Sequence, residues 1–320
     1  MADNTKILIT GGAGYIGSRL VESLIKLGKY DIRVIDNLLY EQTSLFGMSQ
    51  YGHIDFHYQD VTDYEAMVPH YRWADIIIPL AAVVGMPACN SNKKYSNLVN
   101  YKSIERLVKC WSNKRIIYHT TNSGYGTGLH KDGEAILCTE ETPLAPISEY
   151  GIQKSKAERE LIKRCPRATC LRLATVFGTS QRMRLDLLVN DFVYRAVKDR
   201  SIVLFEPHFK RNYVHVMDVV AAIIFCMYKE DDTKGEIFNI GLSKANLSKL
   251  ELCELIQKYV DFDILVSEKG KDPDKRNYIV SNKKIEKIGF ESIISLDTGI
   301  MELVELYKQV IPLDTFSKNH

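Results

Sequence analysis

The chain has 320 residues, seven cysteines and a formal net charge of +2. That length can bury a large core, as one large domain or two small ones. The charge balance excludes a nucleic-acid footprint and a polybasic membrane patch, and no apolar run approaches the roughly 18 residues needed to cross a bilayer.

Cys89, Cys110, Cys138, Cys165, Cys170, Cys226 and Cys253 are scattered and show no C-x-x-C spacing. Neither a metal site nor a disulfide framework is expected from them. The chain starts Met-Ala-Asp-Asn-Thr-Lys and enters a strand pattern at once, leaving no room for a signal peptide. A cytoplasmic enzyme is the expectation.

The first element is the apolar run Ile7-Leu8-Ile9, and Gly11-Gly12-Ala13-Gly14-Tyr15-Ile16-Gly17 follows it. A strand, then Gly12-x-Gly14-x-x-Gly17, then a helical pattern opens a dinucleotide-binding βαβ unit. Gly12 is read as permitting the tight turn, Gly14 as admitting the pyrophosphate, and Gly17 as allowing close helix–strand packing. Free N–H groups and the positive dipole end of the helix then face the phosphates. Asp36 ends the second strand pattern, Ile32-Arg33-Val34-Ile35, and Asn37 follows it. A carboxylate there accepts the adenosine ribose hydroxyls and repels a 2′-phosphate, so the cofactor reads as NAD.

Strand patterns near 6–10, 32–36, 54–58, 75–80, 115–120 and 168–174 alternate with helical patterns near 15–28, 62–70, 97–112 and 149–164. This predicts an α/β fold, a doubly wound parallel Rossmann sheet, with a smaller C-terminal α/β lobe for substrate. The NAD domain is drawn as 1–178 plus about 211–230, and the substrate domain as about 179–210 and 231–320. Gly241 to Ser248 reads as a loop ending in a helix cap.

Tyr150-Gly151-Ile152-Gln153-Lys154 puts a phenol and an ammonium on one helix face. A neighbouring cation favours the phenolate, bringing it toward the working range of a general base. Upstream, Thr120-Thr121-Asn122-Ser123-Gly124-Tyr125-Gly126 follows the strand Ile116-Ile117-Tyr118, and α/β sheets place their chemistry at strand C-terminal ends. His119 and His215 fall inside strand patterns and read as packed core histidines.

These residues together resemble the extended short-chain dehydrogenase/reductases of the NAD-dependent epimerase/dehydratase family, which act on nucleotide sugars. The resemblance runs from the glycine motif to about residue 290. It implies a catalytic triad of Thr121, Tyr150 and Lys154. It also implies cofactor contacts from Gly11, Tyr15 and Ile16 in the turn, from Asp60-Val61 at the adenine, and from Leu80-Ala81-Ala82 and Asn100 beside the site, with Tyr150 and Lys154. Pro79 stands where the family usually has histidine. Arg172 opens Arg-Leu-Ala-Thr-Val-Phe-Gly, similar to the family's strand into the substrate lobe. Substrate contacts are implied for Asn122, Ser123, Arg182 and Arg184, and diphosphate contacts for Asn190, Arg211 and Arg276. The family pairs two helices per subunit, implying a homodimer through the patterns near 97–112 and 149–164.

The implied first step is oxidation of the sugar 4-hydroxyl by NAD⁺. Asn122-Ser123 stands where a 4,6-dehydratase of the family carries an acid and a base, and neither residue exchanges protons near neutral pH. Decarboxylase readings lack their acidic residue in the same way. A 4-dehydrogenase and a 4-epimerase both remain. The strings Asn122–Gly128 and Arg182–Asn190 resemble GDP-heptose 4-dehydrogenases of surface-polysaccharide pathways, implying a GDP-linked manno-configured heptose or hexose. A non-catalytic NAD sensor is the reading from another class, and such proteins commonly lose the Tyr or the Lys.

Overall fold

Seven strands, all parallel, form the central sheet of the computed structural model, which describes residues 4–131, 134–267 and 277–310. Strand β1 (Thr5–Thr10) lies in its middle, flanked on one side by β2 (Tyr30–Asp36) and then β3 (Asp55–Tyr58). On the other side come β4 (Ile76–Pro79), β5 (Arg115–Thr121), Ala168–Leu173 and Glu236–Ile240. The order reverses between β1 and β4, and such a switch point opens a crevice at the strand C-terminal ends. Ile7, Leu8 and Ile9 are fully buried, as strands covered on both faces require.

Local chemistry sets the helix boundaries. Helix α1 (Tyr15–Leu27) stops at Gly28, which takes φ 65° as its left-handed cap. Helix α2 (Tyr64–Trp73) starts at Asp63, whose carboxylate accepts the Ala66 N–H at 3.2 Å. The helix Glu149–Arg164 starts at Ser148, whose hydroxyl accepts the Gly151 N–H at 3.1 Å, and it ends on Lys163 and Arg164. Ser248 and Glu251 form a capping box ahead of Lys249–Gln257, where the loop was expected to end in a cap.

Three expectations are corrected. The span near 97–112 is not one helix: Lys93–Asn97 and Ser103–Trp111 are α-helical, and Leu98–Lys102 between them is a π turn. Such turns recur at functional sites because they displace one residue from the regular face. Here Val99 and Asn100 are both buried, and Asn100 is the polar one of the two.

The tight-turn role belongs to Gly11 instead of Gly12. Gly11 has φ 70°, and a Cβ on it would lie 2.5 Å from the Ala81 nitrogen. Gly12 is required because a Cβ there would meet Val34 Cγ1 at 2.5 Å.

The span after 231 is not all substrate lobe. Glu236–Ile240 is the outer strand of the large sheet, and Ile285 and Phe290 join the core beneath it. Conversely, Lys210–His215 pairs with Thr175–Phe177 and Asn246–Ser248, away from the large sheet. Val214 of this strand still reaches the first core, and the helix that follows it, Val216–Tyr228, returns there, placing Val219, Val220 and Ile223 with Leu20 and Leu24 of α1. Short apolar strands carry no local mark of which sheet they join. The second core gathers Phe177 of Thr175–Phe177 with Val189, Phe192, Leu252, Ile256, Leu303 and Tyr307 from the helices Leu188–Lys198, Lys249–Gln257 and Leu296–Val310.

Candidate active site

A cleft opens at the switch point between β1 and β4. Of the residues expected to contact the cofactor, Gly11, Gly14, Asp36, Asn37, Asp60, Val61, Leu80, Ala81 and Ala82 line it. Tyr40, Gln42, Gln59, Val83, Tyr95 and Val99 line it too, and sequence reasoning missed them. They lie in loops or on the helix beyond the switch, where no periodicity marks them.

The carboxylate of Asp36 is oriented by three donors. Its Oδ2 accepts the Ala13 N–H at 2.9 Å, and Oδ1 accepts the Leu38 N–H at 2.9 Å and the Gln42 amide at 3.1 Å. Burial pushes its pKa above the usual aspartate range in spite of these bonds. Asp60 differs. Burial pushes it up, but the bonds from Thr62, Tyr95 (2.7 Å) and Asn37 (2.9 Å) prevail and hold it below that range.

Asn100 is buried, and its whole amide is engaged. It accepts the Val83 N–H at 2.9 Å, and its Nδ2 donates to the Val83 carbonyl and to Gln153 Oε1, each at 2.9 Å. Asn100 thus clamps the backbone beside Leu80–Ala82. Gln153 in turn donates to Ser96 Oγ at 3.1 Å and to Glu149 at 3.3 Å. Gln153 went unrecognised, although it is a polar residue on the inward stripe Gln153, Lys154, Ala157, Glu158 and Leu161.

Thr121 ends β5, and Tyr150 sits in the first turn of Glu149–Arg164. The Thr121 hydroxyl accepts the Ser123 N–H at 3.1 Å and donates to Ser123 Oγ at 3.0 Å. Tyr150 is half-buried against Val83, Cys89 and Val99. A Cβ on Gly151 would lie 3.5 Å from the Ser123 carbonyl, so the Tyr150 turn packs directly on the Thr121 turn. Lys154, one helical turn on, is 1 % exposed, and burial pushes its ammonium down to about 7. Asn122 is wholly buried, and neither atom of its amide has a hydrogen-bond partner among the described residues.

Behind this group, Arg172 and Glu158 form a buried ion pair at 2.7 Å. Arg172 also donates to the Tyr125 hydroxyl and the Glu140 carbonyl, each at 3.0 Å. This network ties the Thr121 turn to Ala168–Leu173.

The second lobe meets the cleft through residues 178–190. Arg182 is buried with its guanidinium over the Tyr40 ring, 5.4 Å from the centroid. Arg184 grips Asp186 in a fork, with bonds of 3.1 and 2.5 Å. Asn190 is fully buried: it accepts the Gly178 N–H at 3.0 Å and donates to the Arg184 carbonyl at 2.9 Å. Its amide therefore shapes this loop. Tyr15 donates to the Gly178 carbonyl at 2.6 Å, and burial raises its pKa beyond the ordinary tyrosine value. Ile16 packs on the core beneath α1 and Gly17 lies against Gly11, so both support the glycine turn. Arg211 is buried with its guanidinium 5.7 Å from the Tyr278 ring centroid. Arg276 lies outside the described residues.

The sequence model of the NAD dependent epimerase/dehydratase family matches residues 7–241. The chain belongs to this family. It is 25% identical over 314 residues to a putative UDP-glucose 4-epimerase of Methanocaldococcus jannaschii, covering 94% of this chain and 98% of that protein. The UDP-glucose 4-epimerase of Thermotoga maritima, solved with UDP-glucose, superposes with a TM-score of 0.81 at 25% identity, covering 96% of this chain and 100% of that one. The dTDP-glucose 4,6-dehydratase of Bacillus anthracis, solved with NAD, superposes with a TM-score of 0.79 at 24% identity, covering 95% and 97%.

NAD is the family cofactor, and the cleft suits it. No side chain caps the N-terminus of α1, and no acidic residue occupies its first turn, leaving a positive end for a pyrophosphate. Asp36 keeps acceptor capacity beyond its three bonds. Among the described residues no His/Cys/Asp/Glu group suits a metal ion, and no helix is long and apolar enough to cross a membrane.

Proposed function

We propose that this chain oxidises the 4-hydroxyl of a nucleotide-diphosphate sugar with NAD⁺ and releases the 4-keto sugar. The observation that carries this reading is the packing of the Tyr150 turn on the Thr121 turn, with Lys154 buried one turn along the same helix. The NAD⁺ supplies a hydride acceptor when bound. Tyr150, as phenolate, takes the 4-hydroxyl proton; the Thr121 hydroxyl steadies the oxygen as its charge develops. Lys154 holds positive charge beside the phenolate and reaches the nicotinamide ribose. Asn122 and Ser123 offer no acid–base pair for eliminating water, so the keto sugar is not carried on to a dehydrated product.

A GDP-linked manno-configured heptose is the first substrate to try, on the resemblance of residues 122–128 and 182–190. The second reading is a 4-epimerase that returns the hydride to the opposite face, and the names of the similar proteins favour it. Incubating the enzyme with NAD⁺ and a panel of GDP-, UDP-, CDP- and dTDP-sugars separates the two. A keto sugar with stoichiometric NADH, read by proton NMR and absorbance, supports the dehydrogenase. A new stereoisomer without net NADH overturns it in favour of the epimerase.

A homodimer through Ser103–Trp111 and Glu149–Arg164 belongs to the same proposal. The outward faces of these helices expose Arg106, Lys109, Lys156, Arg159, Lys163 and Arg164. Such an interface would bring like charges together and tighten with salt. Solution mass at low and high ionic strength tests it.

A further inference from the structure

We infer that His119 and Tyr118 are positioning residues for Lys154, holding its ammonium with an imidazole acceptor and an aromatic face in place of a carboxylate. The inference rests on the reading of Lys154 as a member of the catalytic group.

The Nζ of Lys154 lies 3.5 Å from His119 Nε2 and 4.0 Å from the centroid of the Tyr118 ring. Both partners are consecutive residues of β5, and both are buried. In a strand, successive side chains leave opposite faces, yet these two rings lie 5.7 Å apart at 45° and both reach the same ammonium. The Tyr118 hydroxyl donates to the Asn100 carbonyl at 3.4 Å, so the π turn anchors the ring on which Lys154 rests. The carboxylate one turn along from Lys154, Glu158, is committed to Arg172 at 2.7 Å.

The groups facing this ammonium come from three elements. Tyr118 and His119 lie on β5, and Glu158 lies on its own helix, whose Tyr150 acts on Tyr118. Cys170 lies on Ala168–Leu173, and the Pro79 carbonyl of β4 faces His119. Burial and the ammonium both drive His119 well below the ordinary histidine range, so its ring is neutral. His119 Nδ1 is buried without a hydrogen-bond partner among the described residues; with the ring proton assigned there, Nε2 presents its lone pair to Lys154. The lone pair and the ring face each favour the charged lysine, offsetting part of the cost of burying it.

The test titrates Lys154 itself in the cofactor-free protein. Lysine side chains labelled with ¹³C at Cε are followed by NMR against pH, and Lys154→Met identifies the resonance. His119→Leu should lower the titration midpoint by at least about one pH unit, a tenfold change in the proton equilibrium. His119→Gln, which keeps an acceptor, should return the midpoint toward wild type. Tyr118→Phe keeps the ring and should shift it little, whereas Tyr118→Leu should lower it. If His119→Leu does not fold, Tyr118→Leu carries the test. Unchanged midpoints in the leucine variants overturn the inference. Full turnover by Lys154→Met would instead overturn the catalytic reading of Lys154, leaving the titration result intact.

Discussion

Asn100 donates to Gln153 across 2.9 Å and thereby joins the π turn Leu98–Lys102 to the helix that carries Tyr150 and Lys154. The same Asn100 amide holds both backbone groups of Val83, a residue of the cofactor cleft. One side-chain contact therefore ties the cleft wall to the helix Glu149–Arg164.

Gln153→Leu fills similar volume but leaves Asn100 and Ser96 short of buried partners. Each buried group left unpaired costs about 1–3 kcal/mol. The expected result is a lower melting temperature together with weaker NADH binding. Measured by calorimetry and by NADH fluorescence, a loss of stability with unchanged NADH affinity would refute the coupling between the clamp and the cleft.

Tyr150→Phe removes the proposed base and keeps the ring against Val83, Cys89 and Val99. Turnover should fall by about 10²–10⁴-fold with NAD binding retained. Steady-state kinetics on the substrate found in the panel, with NADH binding measured in parallel, checks this. An indifferent variant would point to the sensor reading.

Asp36→Ala strips the acceptor from the Ala13 N–H and from the Gln42 amide and removes the charge that opposes a 2′-phosphate. A hydrogen bond to a charged group is worth roughly 1.5–3 kcal/mol, so NAD affinity should drop by about 10–100-fold. Affinity for NADP should fall less or rise. Titration with both dinucleotides reads the ratio, and an unchanged ratio would remove Asp36 from the specificity argument.

Lys154→Met should abolish turnover and yet raise stability at neutral pH. In the folded chain the ammonium loses its proton near 7, and in the unfolded chain near about 10.4. Between those values the unfolded state binds more protons, so wild-type stability rises with pH. The advantage of the Met variant should therefore be largest at pH 7 and shrink toward pH 10. Denaturant unfolding at the two pH values tests the sign, and an advantage that grows with pH would contradict the buried-charge account.

The legible part of this protein is local. The glycine turn, Asp36 at its strand end, the cap at Ser248 and the Tyr150–Lys154 face each follow from geometry within a few residues, where sterics and a 3.6-residue period act directly. Tertiary structure decided the rest, because it depends on pairings between distant segments. Sequence could not tell that Glu236–Ile240 completes the large sheet, since a short apolar strand suits either sheet equally. It could not show Asn100 turned inward, which the π turn and its bonds to Val83 and Gln153 determine jointly. Nor could it show that His119, a buried strand histidine by any local criterion, lies 3.5 Å from Lys154. Spacing along the chain placed the lysine with its tyrosine; only the packing of the helix on the sheet chose what surrounds its charge.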